Sequence, residues 1–398
     1  MSVPAAKPLD VIRSERSSIK WTRFAPDVLP LFVAEMDFAL ADSISAALIE
    51  RIRASDTGYL DGPGELAPAF ARFAADRWDW RVERAHVRLA TDVSVGIVEA
   101  LRVLTRPGDG VVITPPVYPP FFELVEEAGA TRVEVPLVVD DGGHRLDLEG
   151  IERAFAAGAT AILLCNPHNP IGFVHDATEL RALAELAARH DAAIVSDEVH
   201  APLTHPGIRF SPVAPIAAAA GARSVVVTSA SKGWNLAGLK CSVMVAGDAR
   251  SAAALDRLSD EVACRTSILG LHANVAAYAD VEWLDAVVAK VTANDALLAE
   301  LLASELPEAV YHRPEAGYLA WVDLRGLDLG PSPYRRILDE ARVALNDGAT
   351  FGPGAAGFGR INLATEPEVL REAVARIATL VRRTRAAEAG ARGASTAA

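Results

Sequence analysis

The sequence predicts an α/β fold in two parts: a large domain on a mostly parallel β-sheet and a smaller α+β domain. Three observations carry this. From about Val87 to Ala246, short apolar runs of strand length alternate with helical patterns, as expected of strands covered on both faces by crossover helices. After Ser267 the pattern changes to long helical stretches followed by two isolated strand-like runs. The first forty residues hold four prolines, Pro4, Pro8, Pro26 and Pro30, and little periodicity. They read as an extended arm laid over the surface or over a partner subunit. The expected division is residues 47–275 for the large domain, with 1–46 and 276–398 forming the arm and the small domain.

Helical periodicity runs over Asp42 to Ala54 and over Glu65 to Trp78, with the glycine-rich break TGYLDGPG between them. The expected strands are VVIT (Val111 to Thr114), RVEVPL (Arg132 to Leu137), AILLC (Ala161 to Cys165), AAIVSD (Ala192 to Asp197), SVVVT (Ser224 to Thr228) and SVMVA (Ser242 to Ala246). Helical segments such as Glu179 to Arg189 separate several of them. Further on, long helical stretches from about Leu269 to Leu306 precede strand-like runs at Tyr318 to Asp323 and Arg360 to Leu363. An amphipathic helix, Glu366 to Arg383, closes the pattern, and the small polar tail after it is expected to fray.

With 398 residues, 51% apolar and 23% charged, the chain has room for a large core. Its net charge of −13 opposes non-specific binding to nucleic acid or anionic membrane. The three cysteines, Cys165, Cys241 and Cys264, are odd in number and widely spaced, which suggests neither a disulfide framework nor a zinc site. A polar N-terminus and charges that interrupt every apolar run point to a cytoplasmic protein with no membrane span. The histidines show no metal-ligand spacing, so no metal is expected. GPGAAG (Gly352 to Gly357) matches G-x-G-x-x-G by letter, but it follows no strand and contains Pro353, so it reads as a loop.

Four segments carry chemistry. In RSVVVTSASKGWNLAGLKCS a buried strand runs into a polar turn where Ser229 and Ser231 flank Lys232, with Lys240 further on. Desolvation there lowers a lysine's pKa and frees its amine as a nucleophile towards a carbonyl. CNPHNPIG presents Asn166 and Asn169 on a proline-locked turn. SDEVH ends a strand with two acids and His200, and a carboxylate buried there requires a cation. PPVYPPFF offers Tyr118 as a flat surface for an aromatic ring. Taken singly, each is a weak signal.

In co-linear order, N-P-x-N-P-x-G, D-E-V-H and S-x-S-K-x-x-N-x-A-G-L resemble the pyridoxal-phosphate-dependent fold-type-I enzymes of the aminotransferase class I/II superfamily. FVAEMDF, PPVYPPFF, ALNDGATFG and GRINLA are similar to its cystathionine β-lyase branch, the MalY/PatB-type carbon–sulfur lyases. The resemblance spans roughly Leu29 to Leu380. It implies pyridoxal 5′-phosphate as cofactor, Lys232 as its Schiff-base lysine, Asp197 as partner of the ring nitrogen and Asn169 as partner of the ring's phenolic oxygen. It implies Tyr118 stacked on the ring, and Ser229, Lys240 and the amides of Val93 and Ser94 at the phosphate. Tyr59 would reach that phosphate from a second subunit, making a homodimer. Arg360 would hold the substrate carboxylate, and the segment around Ala34 would line the substrate.

Two departures stand out. His200 occupies the place where many relatives carry tyrosine beside the ring oxygen, and Asp92 stands where they often have glycine. A carboxylate at that point would repel a phosphate unless it caps the following helix. The expected activity is α,β-elimination from L-cystathionine or a cysteine S-conjugate, giving thiol, pyruvate and ammonia. An aminotransferase using the same residues, or a catalytically silent binding relative, stays open at this level.

Overall fold

The structure, a computed structural model, describes residues 4–140 and 143–396. The chain divides into two compact units. One comprises Leu40–Asn169 and Phe173–Asp285, the other the residues up to Ala39 with Pro170–Gly172 and those from Ala286 onward.

The first unit is built on seven strands: β1 (Val87–Ala90), β2 (Gly110–Ile113), β3 (Thr131–Glu134), β4 (Ala159–Cys165), β5 (Ala193–Asp197), β6 (Arg223–Thr228) and β7 (Ser242–Ala246). Their order across the sheet is β1-β7-β6-β5-β4-β2-β3. From β6 to β3 every pairing is parallel, while β7 runs antiparallel to both β1 and β6. The α/β expectation therefore holds, with β7 as the exception to parallel order. RVEVPL is a strand only as far as Glu134, although Val135 N and Leu137 N still donate to Ile113 O and Pro115 O beyond it. A small hairpin, Val138–Asp140 with Gly143–Arg145, and β1 were not singled out from sequence.

Helices such as Val93–Leu104 and Ala177–Arg189 connect the strands. The first of these lies close against the sheet at Gly96, where a Cβ would stand 2.7 Å from Val227 Cγ1. Glycine is what lets this helix begin beside β6. The helical stretches expected over about Leu269 to Leu306 are two helices, Ile268–Ala279 and Val281–Glu305. Asp280 separates them, leaving helical geometry and accepting the Trp283 N–H on its own carboxylate at 3.1 Å.

The second unit holds a four-stranded antiparallel sheet of β8 (Val310–Tyr311), β9 (Leu319–Asp323), β10 (Asn346–Asp347) and β11 (Phe358–Asn362), in the order β8-β9-β11-β10. The last helix runs from Pro367 to Thr396, so the tail expected to fray continues it. Its alanine-rich composition favours helix; Ala397 and Ala398 lie outside the described residues.

Among the described residues 4–40, the arm is extended only in part. It includes helices Leu9–Glu15 and Ile19–Thr22, with Ile12, Lys20 and Trp21 buried. Lys20 Nζ donates to Glu35 O at 2.8 Å and pairs with Asp37, while Arg16 donates to the carbonyls of Met36, Asp37 and Phe38, each at 2.9 Å. Glu35 accepts from Ser18 Oγ and Trp21 Nε1. The arm thus clamps the FVAEMDF segment of its own unit, satisfying polar groups that periodicity alone cannot pair.

Candidate active site

Three of the chemistry-bearing segments leave neighbouring parallel strands at one edge. Cys165 is in register with Asp197 across β4 and β5, and Asp197 with Val227 across β5 and β6. The Asn169 turn, the acid pair and the Lys232 turn therefore converge at the carboxyl ends of adjacent strands, where open α/β sheets collect ligands.

Asp197 is 6% exposed, and its Oδ1 accepts the Val199 N–H at 3.1 Å. Burial raises its pKa to about 6, opposed by the Val199 N–H and by the charge of Lys232. The neighbouring Glu198 is equally hidden. Its Oε1 accepts from Val213 N at 2.9 Å and Ser196 Oγ at 3.1 Å, while Oε2 is buried without a hydrogen-bond partner. Burial lifts its pKa to about 8, with the charge of Asp197 adding to the rise. At neutral pH the two acids thus differ, Asp197 mostly ionised and Glu198 mostly protonated.

Asn169 is buried in a turn closed on Cys165, whose sulfur accepts the Asn169 N–H at 3.3 Å and donates to Pro167 O at 3.4 Å. Burial pushes the Cys165 thiol up, so it stays protonated. Lys232, half-buried, sits in the short helical turn Ala230–Gly233 after β6. Ser229 caps this turn, accepting from Ser231 N at 3.0 Å while its hydroxyl donates to Cys241 O at 2.6 Å. Asn274 secures the turn from the Ile268–Ala279 helix, taking the Ala230 N–H at 2.9 Å. Sequence reasoning missed Cys165, Glu198 and Asn274 in these roles; Asn274 has no local signal, being a polar residue in an apolar helix 44 positions away.

Asp92 caps the Val93–Leu104 helix by accepting the Val95 N–H at 2.9 Å, leaving the Val93 and Ser94 amides at its open end. Its other oxygen lies 2.7 Å from Lys240 Nζ. Ser242 pairs with Ala90 across β7 and β1, and Lys240 and Asp92 sit two residues beyond that pair on each strand, so the antiparallel ladder sets them opposite. Tyr118 follows β2, which neighbours β4, and stands edge-on to Phe121 at 6.2 Å. His200 is buried immediately before the Ala201–Leu203 turn, and Tyr59 is 91% exposed.

In the second unit, Arg360 lies on β11, 3% exposed. It donates to Phe32 O at 3.2 Å, with its guanidinium 5.1 Å from the centroid of the Phe351 ring. The Ala34 carbonyl accepts from Tyr318 Oη at 3.1 Å.

The candidate site thus offers a buried aspartate influenced by the charge of Lys232, and an open helix end flanked by Lys240. The sequence profile of the aminotransferase class I and II family matches residues 26–377, and the chain belongs to that family. A cystathionine β-lyase of Corynebacterium glutamicum is 36% identical over 92% of this chain and 97% of its own length. The cystathionine β-lyase PatB of Bacillus subtilis is 32% identical over 92% and 97%. Among solved structures, cystalysin of Treponema denticola, which contains a pyridoxal 5′-phosphate cofactor, superposes with a TM-score of 0.86 at 26% identity, covering 92% of this chain and 96% of that one.

Proposed function

We propose that this protein is a pyridoxal-phosphate-dependent carbon–sulfur β-lyase that eliminates a thiol from L-cystathionine or a cysteine S-conjugate. The observation that carries the reading is the buried Asp197 at one strand end, with the Lys232 turn leaving the adjacent strand. A buried carboxylate with one N–H donor is completed by a cation, which a protonated pyridine nitrogen supplies. The open Val93 and Ser94 amides suit a phosphate, and Asp92 does not oppose one, since one oxygen is spent on the helix and the other on Lys240. The residues present fit the cofactor. When bound, it supplies the electron sink for negative charge at the substrate α-carbon.

The chain's own groups do the rest. Lys232 holds the cofactor, takes the α-proton and hands it on. Asp197 would keep the ring nitrogen cationic, Asn169 and His200 would serve the ring oxygen, and Tyr118 would offer the ring a flat surface. Ser229 would hold the phosphate together with the Val93 and Ser94 amides. In the second unit, the planar fork of Arg360 suits a carboxylate. The C–S bond breaks with its electron pair leaving on sulfur as thiolate, and the freed enamine takes up water to give pyruvate and ammonia. The aromatic ring of Tyr59, on an exposed glycine-rich segment, supports a homodimer in which a second copy covers it. The three cysteines are free thiols, which fits a cytoplasmic enzyme; among the described residues no helix is long and apolar enough to cross a membrane.

Incubation with L-cystathionine should release thiol, pyruvate and ammonia in equal amounts, and Lys232→Ala should lower the rate by at least about 100-fold. Amino transfer to a 2-oxo acid without pyruvate release would overturn the lyase reading in favour of an aminotransferase.

A further inference from the structure

His168 stands between Pro167 and Asn169, and nothing in the reading above uses it. Its side chain is fully buried, and Nε2 lies 2.9 Å from the carbonyl of Pro116, two residues ahead of Tyr118. A carbonyl can only accept, so in this contact Nε2 is the donor; Nδ1 is buried, and the Cys165 backbone also acts on the ring. The ring is held from behind. It stacks on Phe173 at 5.6 Å and 28°, and His175 meets it edge-on at 5.8 Å, itself bonded to Glu179 at 2.6 Å. Burial, with His175 and His144 nearby, pushes the His168 pKa down to about 3, so the ring is neutral at any working pH.

The contact falls where the backbone has run out of donors. The Tyr118 and Asn169 segments follow the neighbouring strands β2 and β4. Pro116 and Pro167 have no N–H, so neither can donate across from one segment to the other. A side-chain N–H fills that gap.

We propose that His168 is a positioning residue, tying the segment that carries Tyr118 to the segment that carries Asn169, so that the stacking face and the amide keep a fixed separation around one ring. This rests on the roles given above to Tyr118 and Asn169. The His168→Gln side chain can still donate to Pro116, whereas His168→Leu fills similar space without a donor. The full-length variants are reconstituted with pyridoxal 5′-phosphate, and three quantities are read: the dissociation constant, the position and pH midpoint of the visible cofactor band, and the melting temperature of the cofactor-free chain. His168→Leu should weaken cofactor binding about tenfold and shift the band, with His168→Gln returning both to within about threefold of wild type. The effects of His168→Leu and Tyr118→Leu on binding should be non-additive. If His168→Leu does not fold, His168→Met takes its place. An unchanged band and affinity, additive effects, or losses in both variants that merely follow melting temperature would each overturn the tie. A wild-type chain that takes up no cofactor, or Tyr118→Leu and Asn169→Ala variants with unaltered bands, would instead sink the functional reading beneath it.

Discussion

Lys240 Nζ lies 2.7 Å from Asp92 Oδ2, joining two turns 148 residues apart in sequence. The acid that caps the Val93–Leu104 helix is thereby neutralised by the cation at the end of the neighbouring strand. The pair is half in solvent, so its own contribution to stability is small, about 0–1 kcal/mol. Its consequence is electrostatic: with Lys240 removed, Asp92 presents an uncompensated charge where a phosphate is to bind.

Lys240→Ala should therefore weaken pyridoxal-phosphate binding about tenfold. Asp92→Asn keeps an oxygen for the Val95 N–H but loses the charge. The double variant should recover more than half of the lost binding free energy, measured by cofactor titration. A double variant as weak as Lys240→Ala alone would show that the carboxylate's charge is not what Lys240 offsets.

The buried Lys20–Asp37 pair should behave asymmetrically. Lys20→Met leaves Asp37 as an unpaired buried anion and should cost about 3–5 kcal/mol in urea unfolding. Lys20→Met combined with Asp37→Asn should cost distinctly less, since no charge remains to be stranded. Equal losses in the two proteins would count against the desolvation account.

Glu198 should give the chain a pH-dependent stability. Its carboxyl is raised from an ordinary 4.5 to about 8. Between these values the folded chain holds a proton that the unfolded chain releases. Stability is highest below pH 4.5 as far as this group is concerned, and falls as pH rises to 8, by at most about 1.4 kcal/mol per pH unit. Glu198→Gln removes that slope, so the variant should gain on wild type steadily from pH 5 to pH 8 in unfolding of the cofactor-free chain. A difference that stays flat across this range would mean Glu198 is ionised in the fold.

Much of the site was legible because its signals are short. A proline-locked turn, an acid at a strand end and a lysine after a buried strand are each encoded within about eight residues, where local sterics and burial decide the outcome. Register across β4, β5 and β6 then brings them together, and the alternating pattern already implied such a sheet. The capping role of Asp92 belongs to the same class, since cap and helix start are adjacent. The misread segments are those whose polar groups find partners far away. The segments Leu9–Glu15 and Ile19–Thr22 are docked by Arg16 and Lys20, which satisfy carbonyls and a carboxylate around residues 35 to 38, contacts that no periodicity in the first forty residues announces. The position of the break at Asp280 is not legible in the sequence, because a single capping carboxylate interrupts an otherwise continuous helical pattern.

By itself, then, the order of residues determined the strands, the turns between them and the kinds of functional group placed at their ends, because each depends on neighbours along the chain. The tertiary structure alone decided which charges meet, which acid keeps its proton and which histidine bridges two loops. Those outcomes depend on desolvation and on distances across strands, and they come into being only when the sheet has closed around them.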